Sequence, residues 1–251
     1  MTSSPSHERF LPLSGIFNLR DLGGYAAGTQ PTAWRRFLRS DSPHRIGPEG
    51  VQKLLDEGVR MVIDLRGNQE VENARNPFAH MDEATDRPHV VYRHVSLFSG
   101  LAPQAQPSGN LLQDLYLQTL QQRGATFAQV LTDIAVAPAG TVLFHCTAGK
   151  DRTGLVAALL LSLVEVEQEI IIADYALTEK AVAPLLAQME AEATSRGMDP
   201  ALLRPFMACD PGLITTALEQ MHQQYGSAEA YLRAAGMSGQ NITRLKARLL
   251  D

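Results

Sequence analysis

Residues 145–154 read HCTAGKDRTG and place one cysteine between two apolar runs. The run before it, residues 140–144, reads GTVLF, and its β-branched and aromatic residues predict a buried strand. The run after it, from Leu155 to Val164, is almost wholly apolar and too long for a strand, so it predicts a buried helix beginning near Arg152. The pattern therefore predicts a strand, a tight loop and a helix around Cys146.

The start of a helix favours anion binding, because its first backbone N–H groups are unpaired and its dipole is positive there. The loop is therefore expected to wrap a phosphoryl group with its amides. The same field favours the thiolate form of Cys146, which makes it a nucleophile. Arg152 supplies a planar fork for two phosphoryl oxygens, and Thr153 is placed to donate its hydroxyl to the sulfur. His145 is expected to orient the loop through a backbone hydrogen bond, because neighbouring strand side chains point apart.

Five residues separate the cysteine from the arginine, with histidine before the cysteine and threonine after the arginine. This loop resembles the signature loop of the cysteine-dependent protein tyrosine phosphatase superfamily. In detail it is similar to an atypical bacterial branch that reads HCxAGKDRTG and includes secreted phosphatases of intracellular pathogens. The resemblance covers nearly the whole chain. Further stretches that agree with the branch are FNLRDLGGY at 17–25, LRSD at 38–41, IDLR at 63–66 with Glu70, YL at 231–232 and GMS at 236–238.

The resemblance implies a phosphomonoester hydrolase that acts through a phosphocysteine intermediate. Members of the family act on phosphotyrosine, often on phosphoserine or phosphothreonine, and in several cases on phosphoinositides. It also implies an α/β fold with a central, mostly parallel sheet flanked by helices and a C-terminal helical extension. Besides Cys146 and Arg152, the residues expected to contact the substrate phosphate are His145, Thr147, Ala148, Gly149, Lys150 and Thr153.

Hydrolysis also needs a proton donor for the leaving oxygen, which many superfamily members take from a Trp-Pro-Asp loop. The chain has no such tripeptide, and its only tryptophan is Trp34. The resemblance suggests Asp151 as the general acid. Asp64 is the alternative, since it ends the predicted strand 59–63 and ligands gather at strand C-termini in α/β sheets. A purely structural role for Asp151, as a helix cap, is the third possibility.

Five further side chains are candidates of different weight. Lys150 adds a second positive charge beside Arg152, and the resemblance associates it with inositol-ring phosphates. Arg20 precedes a glycine pair and suggests a turn held by charged hydrogen bonds, while the resemblance places it near the active-site rim. Asp41 is expected to cap the following turn, and Arg66 with Glu70 has the spacing of a helical ion pair.

Composition limits the remaining function classes. The chain has 251 residues, of which 45% are hydrophobic and 20% charged, which predicts one globular domain over residues 1–251. A net charge of −5 without a basic block argues against general binding to nucleic acid or acidic membranes. No ligand cluster at coordinating spacing predicts a metal, and no cofactor is implied. Two cysteines, Cys146 and Cys209, are too few for a disulfide framework. Cys209 is expected to be a packed residue, with a reversible disulfide to Cys146 as the alternative.

No stretch has the pattern of a signal peptide or of a membrane helix, since the longest apolar run, Leu155 to Leu163, is well below the ~20 residues a bilayer requires. This favours a cytoplasmic protein, and it is compatible with export without an ordinary signal peptide. Segment 97–110 is rich in Gly, Pro, Ser and Gln and predicts a long, substrate-facing loop. Segment 179–208 resembles the helical lid of some relatives, with ordinary packing helices as the alternative.

Helix and strand signals alternate along the chain as in an α/β domain. The predicted strands are 36–38, 59–63, 90–95 and 141–145. The predicted helices are 48–57, 111–120, 126–137, 153–164 and 167–177, followed by a helical C-terminal part.

The substrate stays open at this point. The leading hypothesis is a protein tyrosine phosphatase of broad specificity, acting on phosphorylated protein. One alternative is a phosphoinositide or inositol phosphate phosphatase. Another is a catalytically weak phosphate-binding module, which the presence of Cys146, Asp151 and Arg152 together disfavours, because such modules usually lack one of them. Sequence alone does not predict the oligomeric state.

Overall fold

The computed structural model describes residues 8–79, 81, 89–98, 100–101, 110–202 and 208–251. Its strands are β1 (Arg20–Asp21), β2 (Ala26–Ala27), β3 (Gln30–Pro31), β4 (Phe37–Ser40), β5 (Val59–Asp64), β6 (Val91–His94) and β7 (Thr141–His145). Five of them form the central sheet in the order β1-β4-β7-β5-β6, while β2 and β3 pair separately. β4, β7, β5 and β6 run parallel, and only β1 is antiparallel to its neighbour. The predicted mostly parallel α/β sheet is therefore confirmed.

Nine α-helices and two short 3-10 turns accompany these strands in the described residues. The helices are α1 (Pro48–Asp56), α2 (Asn68–Asn73), α3 (Leu111–Gln122), α4 (Gly124–Ala135), α5 (Asp151–Leu163), α6 (Gln168–Ser195), α7 (Pro211–Tyr225), α8 (Ala228–Ala234) and α9 (Gly239–Leu250). The 3-10 turns are Pro43–Arg45 and Pro200–Leu202.

Alternate residues of the central strands pack on opposite faces of the sheet, as strand geometry requires. In β7, Val142 and Phe144 belong to the larger hydrophobic core, while Leu143 belongs to a smaller one. The larger core contains the apolar side chains of α5, together with residues of α3, α4, α6 and α7–α9. The smaller core is closed mainly by α1, through Val51 and Leu54. The C-terminal helices are thus part of the main core, and α5 lies inside it.

Most predicted helices and strands have counterparts whose ends differ by at most two residues. The strand predicted at 36–38 corresponds to β4, which ends two residues later. It extends to Ser40 because Ser40 still pairs with His145 of the parallel strand β7. The largest difference concerns the helix predicted at 167–177, which continues as α6 to Ser195. The predicted loop 97–110 lies mostly outside the described residues.

Candidate active site

The loop after β7 connects the sheet directly to the first turn of α5. Cys146 follows the last strand residue and is 2% exposed, so its thiol lies at the floor of the loop. Gly149 has a φ of +67°, and a Cβ atom there would lie 2.4 Å from the Ser40 carbonyl oxygen. Only glycine combines this backbone conformation with this close approach. The loop path therefore depends on Gly149 as much as on the residues that carry the chemistry.

The carbonyl oxygens of residues 146–149 point outward, to the structure that surrounds the loop. They accept hydrogen bonds as follows: Cys146 from His145 Nδ1 (3.1 Å), Thr147 from the Ser42 amide (3.0 Å), Ala148 from Asn18 Nδ2 (3.0 Å), and Gly149 from Asn18 Nδ2 (3.1 Å) and Arg39 Nη2 (2.8 Å). A trans peptide is planar, with its N–H opposite its C=O, and no described peptide is cis. The N–H groups of residues 147–150 therefore point into the space that the loop encloses.

Two further features make this space attractive to an anion. The first backbone amides of α5, from Asp151 onward, lie at the positive end of the helix. The Arg152 guanidinium lies beside the loop, where its Nη2 donates to the Thr147 hydroxyl at 3.3 Å. Burial alone would lower the pKa of Arg152, but the Glu70 carboxylate and Cys146 keep it above its usual value. The predicted grouping of thiol, amides and guanidinium is thus present in the structure.

The Glu70 carboxylate binds both terminal nitrogens of the Arg152 guanidinium. Its Oε2 accepts from Arg152 Nη1 at 2.5 Å and its Oε1 from Nη2 at 2.9 Å. Glu70 also accepts from the Thr147 hydroxyl, and from the Gly67 amide at 2.7 Å at the start of α2. Burial alone would raise the pKa of Glu70, but the hydrogen bond and charge of Arg152 lower it to about 2. The predicted ion pair of Glu70 with Arg66 is therefore wrong, because Glu70 pairs with Arg152 across the fold.

Arg66 and Asp64 pair with each other beneath the loop. Arg66 donates to Asp64 through Nη2 at 2.6 Å and Nε at 2.8 Å, and Tyr92 donates to the same carboxylate at 3.0 Å. Asp64 is fully buried; burial alone would raise its pKa, but the hydrogen bonds and charge of Arg66 hold it below its usual value. A proton donor must carry a proton and reach the leaving oxygen. This geometry argues against the alternative of Asp64 as the general acid, since its carboxylate is paired with Arg66 and enclosed in a network under the loop.

His145 belongs to the same network and has the predicted orientation. Its Nδ1 faces the Cys146 carbonyl oxygen at 3.1 Å, and its Nε2 faces Asn76 Nδ2 at 2.8 Å. Burial lowers the pKa of His145, which favours the neutral ring. Only the tautomer with hydrogen on Nδ1 allows that nitrogen to donate to the carbonyl while Nε2 accepts from Asn76. His145 therefore fixes the first peptide of the loop.

Asp151 opens α5 at the edge of the loop, and its side chain is 21% exposed. Its Oδ1 accepts a hydrogen bond of 2.8 Å from the Tyr116 hydroxyl, which lies 2.8 Å from the Tyr175 hydroxyl. Burial and the Asp151 carboxylate raise the pKa of Tyr116 well above its usual value, so that Tyr116 stays a donor. The carboxyl group is thus held by a fixed partner on one oxygen and remains partly open to the loop mouth.

Lys150 points away from the space enclosed by the loop. Its side chain is completely buried, and Nζ donates to the Ala208 carbonyl oxygen at 2.8 Å and lies 3.4 Å from Asp151 Oδ1. The expectation that Lys150 reaches the substrate phosphate is therefore corrected for this structure. Its ammonium instead connects the loop to the segment that precedes α7.

Arg20 is also fully buried and does not lie at the rim. Its Nε donates to Asp174 Oδ1 at 3.0 Å, and Arg39 Nη1 donates to Asp174 Oδ2 at 2.6 Å. Arg39 also donates to the Gly149 carbonyl oxygen. The group of Arg20, Asp174 and Arg39 therefore contacts the outer face of the loop, opposite the space that the loop encloses. This corrects the expectation of a substrate contact at Arg20.

The remaining predicted residues occupy distinct positions. Thr147 is exposed at the loop mouth. Thr153 is fully buried, and its hydroxyl makes no hydrogen bond within the described part of the chain, to the Cys146 sulfur or to any other group. Asp41 was expected to cap the next turn but instead accepts from the Phe17 amide at 2.8 Å and the Asn18 amide at 2.9 Å.

Two aromatic rings flank the loop, and sequence reasoning did not single them out. The Arg152 guanidinium lies 5.3 Å from the ring centre of Phe98, which falls at the start of the predicted substrate-facing loop. Phe17 and Ala148 pack together against Val182 and Leu185 of α6. The entrance is therefore bordered by apolar groups on both sides.

Comparisons with known proteins agree with this geometry. A sequence model described as the tyrosine phosphatase family matches residues 11–251. A tyrosine-protein phosphatase of Nostoc commune is 33% identical over 226 residues, which cover 85% of this chain and 74% of the relative. A putative tyrosine-protein phosphatase of Cupriavidus necator is 28% identical, with 90% and 83% covered. The triple specificity protein phosphatase PtpB of Mycobacterium tuberculosis is 28% identical, with 95% and 98% covered.

Two features are absent from the described residues. None of their helices is long and apolar enough to cross a membrane. Nor do they contain a group of three or more His, Cys, Asp or Glu side chains arranged to hold a metal ion.

Proposed function

The chain belongs to the tyrosine phosphatase family and is a phosphatase, and from this we propose that it hydrolyses phosphotyrosine and other phosphomonoesters of proteins through a phosphocysteine on Cys146. The observation that carries the proposal is the direction of the loop amides. Those of residues 147–150 point to the same space as the start of α5, with Cys146 at its floor and Arg152 at its side. A dianionic phosphoryl group matches this space in charge and geometry.

In the first step, the Cys146 sulfur forms a bond to phosphorus while the bond from phosphorus to the ester oxygen breaks. The loop amides and the Arg152 fork hold the three equatorial oxygens, whose charge they stabilise in the transition state. Glu70 keeps the guanidinium in the required plane. The electron pair of the broken bond leaves on the ester oxygen, which therefore needs a proton.

We assign this proton to Asp151 rather than to Asp64. Asp151 is partly exposed at the loop mouth and is oriented by Tyr116, whereas Asp64 is buried and paired with Arg66. In the second step, water attacks phosphorus, the sulfur leaves as thiolate, and the Asp151 carboxylate takes the proton from the water. The Thr153 hydroxyl is placed to donate to the departing sulfur.

Replacing Asp151 by asparagine is expected to lower kcat/KM for phenyl or alkyl phosphates by about 10²–10³, because kcat/KM reports formation of the phosphocysteine, where a poor leaving oxygen depends on general acid catalysis. The loss for p-nitrophenyl phosphate, whose leaving group is acidic, is expected to be much smaller. Steady-state rates on this series of esters measure the difference. Equal losses across the series would reject Asp151 as the proton donor and favour a role at the helix start only.

We also propose that the enzyme hydrolyses other phosphomonoesters besides phosphotyrosine. Similarity to a relative named a triple specificity phosphatase supports action on more than phosphotyrosine. The buried position of Lys150 weighs against the phosphoinositide alternative, since its ammonium is held by Ala208 and Asp151 and adds no charge to the entrance. The presence of Cys146 and Arg152 in working geometry weighs against a binding module without activity.

We further propose that residues 1–251 form one phosphatase domain in which residues 179–208 act as a lid. Residues 203–207 of this segment lie outside the described part of the chain. Support comes from Val182 and Leu185, which are buried against Ala148 of the loop, and from the Lys150 contact with Ala208. A lid packed on the loop in this way limits access to Cys146.

Replacing Leu185 by alanine is expected to speed alkylation of Cys146 by iodoacetamide several-fold, because it removes packing between α6 and the loop. Leu54→Ala is the matched control: Leu54 is equally buried but lies in the smaller core under α1. Both changes cost about 2–5 kcal/mol in the free energy of unfolding. Similar alkylation rates in the two variants, measured by mass spectrometry, would argue against a lid.

We also propose a cytoplasmic location. Cys146 and Cys209 are both free thiols, and a catalytic thiolate is maintained best in a reducing compartment. Subcellular fractionation tests this placement, and recovery in the medium or the periplasm would contradict it.

A further inference from the structure

A groove runs along the outside of the entrance, between the N-terminal segment and α6. We call it the rim groove; it has a volume of about 690 Å³ and is lined by residues 12–17, Arg45, and Ala181, Pro184 and Gln188 of α6. This volume lies within the range of about 300–1,000 Å³ that is common for ligand pockets. No step of the mechanism above uses it.

The rim groove lies near the catalytic loop, and Phe17 lies between them. This side chain lines the groove and also packs with Ala148, a residue of the catalytic loop, against Val182 and Leu185. In addition, Asn18 donates to the Ala148 carbonyl oxygen at 3.0 Å. The groove therefore lies beside the outer face of the loop, within reach of the chain that flanks a phosphotyrosine bound there.

The wall opposite α6 is preformed. The Ile16 amide donates to the Leu13 carbonyl oxygen at 3.2 Å, which closes a turn. Gly15 in this turn has a φ of +84°, and a Cβ atom there would lie 2.6 Å from the Arg45 carbonyl oxygen. The turn thus lies directly on the backbone of Arg45, and the Phe17 amide is fixed by Asp41 at 2.8 Å. Binding of a ligand in the groove therefore requires little loss of conformational entropy in this wall.

Arg45 is the only ionisable residue among the described residues that line the rim groove. Its side chain is 30% exposed, lies 5.6 Å from the ring centre of Phe17, and is held by a 3.0 Å ion pair with the buried carboxylate of Asp41. The guanidinium is therefore fixed in place with an edge open to solvent. The other lining side chains are apolar or uncharged, so the groove offers one cation next to an apolar floor.

We propose that the rim groove binds the residues that flank the phosphotyrosine of a peptide substrate, with an apolar side chain along Phe17 and Pro184 and an acidic side chain on Arg45. This inference rests on the proposed function and specifies its substrate. A peptide fits better than an inositol lipid, because a headgroup with several phosphates needs several cations, whereas the groove has one and Lys150 is buried.

The test uses the full chain and a set of phosphotyrosine peptides in which glutamate, glutamine or lysine is scanned through the positions on both sides of the phosphotyrosine. Each kcat/KM is divided by that for p-nitrophenyl phosphate, which is too small to reach the groove. At one or more positions the wild type is expected to prefer glutamate over lysine by about threefold to fivefold, as for a partly exposed charge pair. Arg45→Met is expected to remove this preference.

Gln188 provides a matched pair of variants on the exposed wall of the groove. Gln188→Lys is expected to increase the preference for glutamate, and Gln188→Glu to decrease it, without touching the Arg45 ion pair. A preference that none of the three variants changes would overturn the proposal. So would a soluble phosphoinositide whose turnover depends on Arg45 more than that of any peptide. A wild type inactive on p-nitrophenyl phosphate would instead reject the proposed function itself.

Discussion

Replacing Cys146 by serine is expected to lower kcat for p-nitrophenyl phosphate by about 10⁴ or more. A serine hydroxyl at this position ionises far less readily than a thiol, and His145 does not activate it, since its ring is committed to the Cys146 carbonyl oxygen and Asn76. The substitution exchanges one small buried side chain for another, so the loop is expected to keep its path. Phosphate release measured against the wild type checks this.

Binding of the phosphoryl group serves as the control for that variant. The loop amides and Arg152 do not depend on the sulfur for their direction, so Cys146→Ser is expected to bind a phosphotyrosine peptide with an affinity within about tenfold of the wild-type KM. Calorimetry measures this affinity. A variant that still turns over at more than a tenth of the wild-type rate would show that Cys146 is not the nucleophile.

Replacing Arg152 by lysine is expected to lower kcat/KM by about 10³, although the charge is kept. The guanidinium offers a planar fork that Glu70 holds through two hydrogen bonds of 2.5 and 2.9 Å, and this fixes the orientation toward the phosphoryl oxygens. A lysine ammonium has three N–H donors and no planar fork, so it cannot make two bonds to Glu70 and two to phosphoryl oxygens together. Removing one such preorganised donor from an anion site typically costs about 10²–10³ in rate.

Glu70→Gln is the matched variant for this position. It keeps the shape of the side chain but loses the charge that holds Arg152, so we expect a loss of about tenfold, smaller than that of Arg152→Lys. Steady-state kinetics on p-nitrophenyl phosphate compare the two variants. If Arg152→Lys retained nearly full activity, the fork would not be the group that stabilises the transition state.

The central part of the site was predictable because it is local in sequence. A strand, a loop and the first turn of a helix are contiguous, so Cys146, the loop amides and Arg152 are brought together by residues 141–153 alone. The hydrophobic run after Thr153 predicted a buried helix, and α5 is that helix. Local patterns of this kind also placed the predicted parallel strands to within a few residues.

The ion pairs and hydrogen bonds that hold the catalytic loop and Arg152 in place were not predictable, because they join residues that are far apart in the sequence. Glu70 was paired with Arg66 on the spacing of a helix, but its partner Arg152 lies 82 residues away. Likewise, Arg39 reaches Gly149 over 110 residues and Asp174 over 135. The only local signal for Glu70 was its position three residues after Gly67, where its carboxylate accepts from the amide at the helix start.

The direction of Lys150 was missed for a related reason. A lysine in a phosphate-binding loop suggests a phosphate contact, but its side chain is long enough to turn inward when a carbonyl group and a carboxylate are available there. Those groups are supplied by Ala208 and Asp151. The Ala208 carbonyl belongs to a segment whose position no local pattern predicts.

The most direct measurement is the identification of the covalent intermediate. The enzyme is mixed with excess p-nitrophenyl phosphate, quenched in acid within milliseconds, digested and analysed by mass spectrometry. The account predicts a phosphoryl group on the sulfur of Cys146 and its absence when residue 146 is serine. An active enzyme whose Cys146 peptide is never phosphorylated, with phosphate passing directly to water or residing on another side chain, would contradict it.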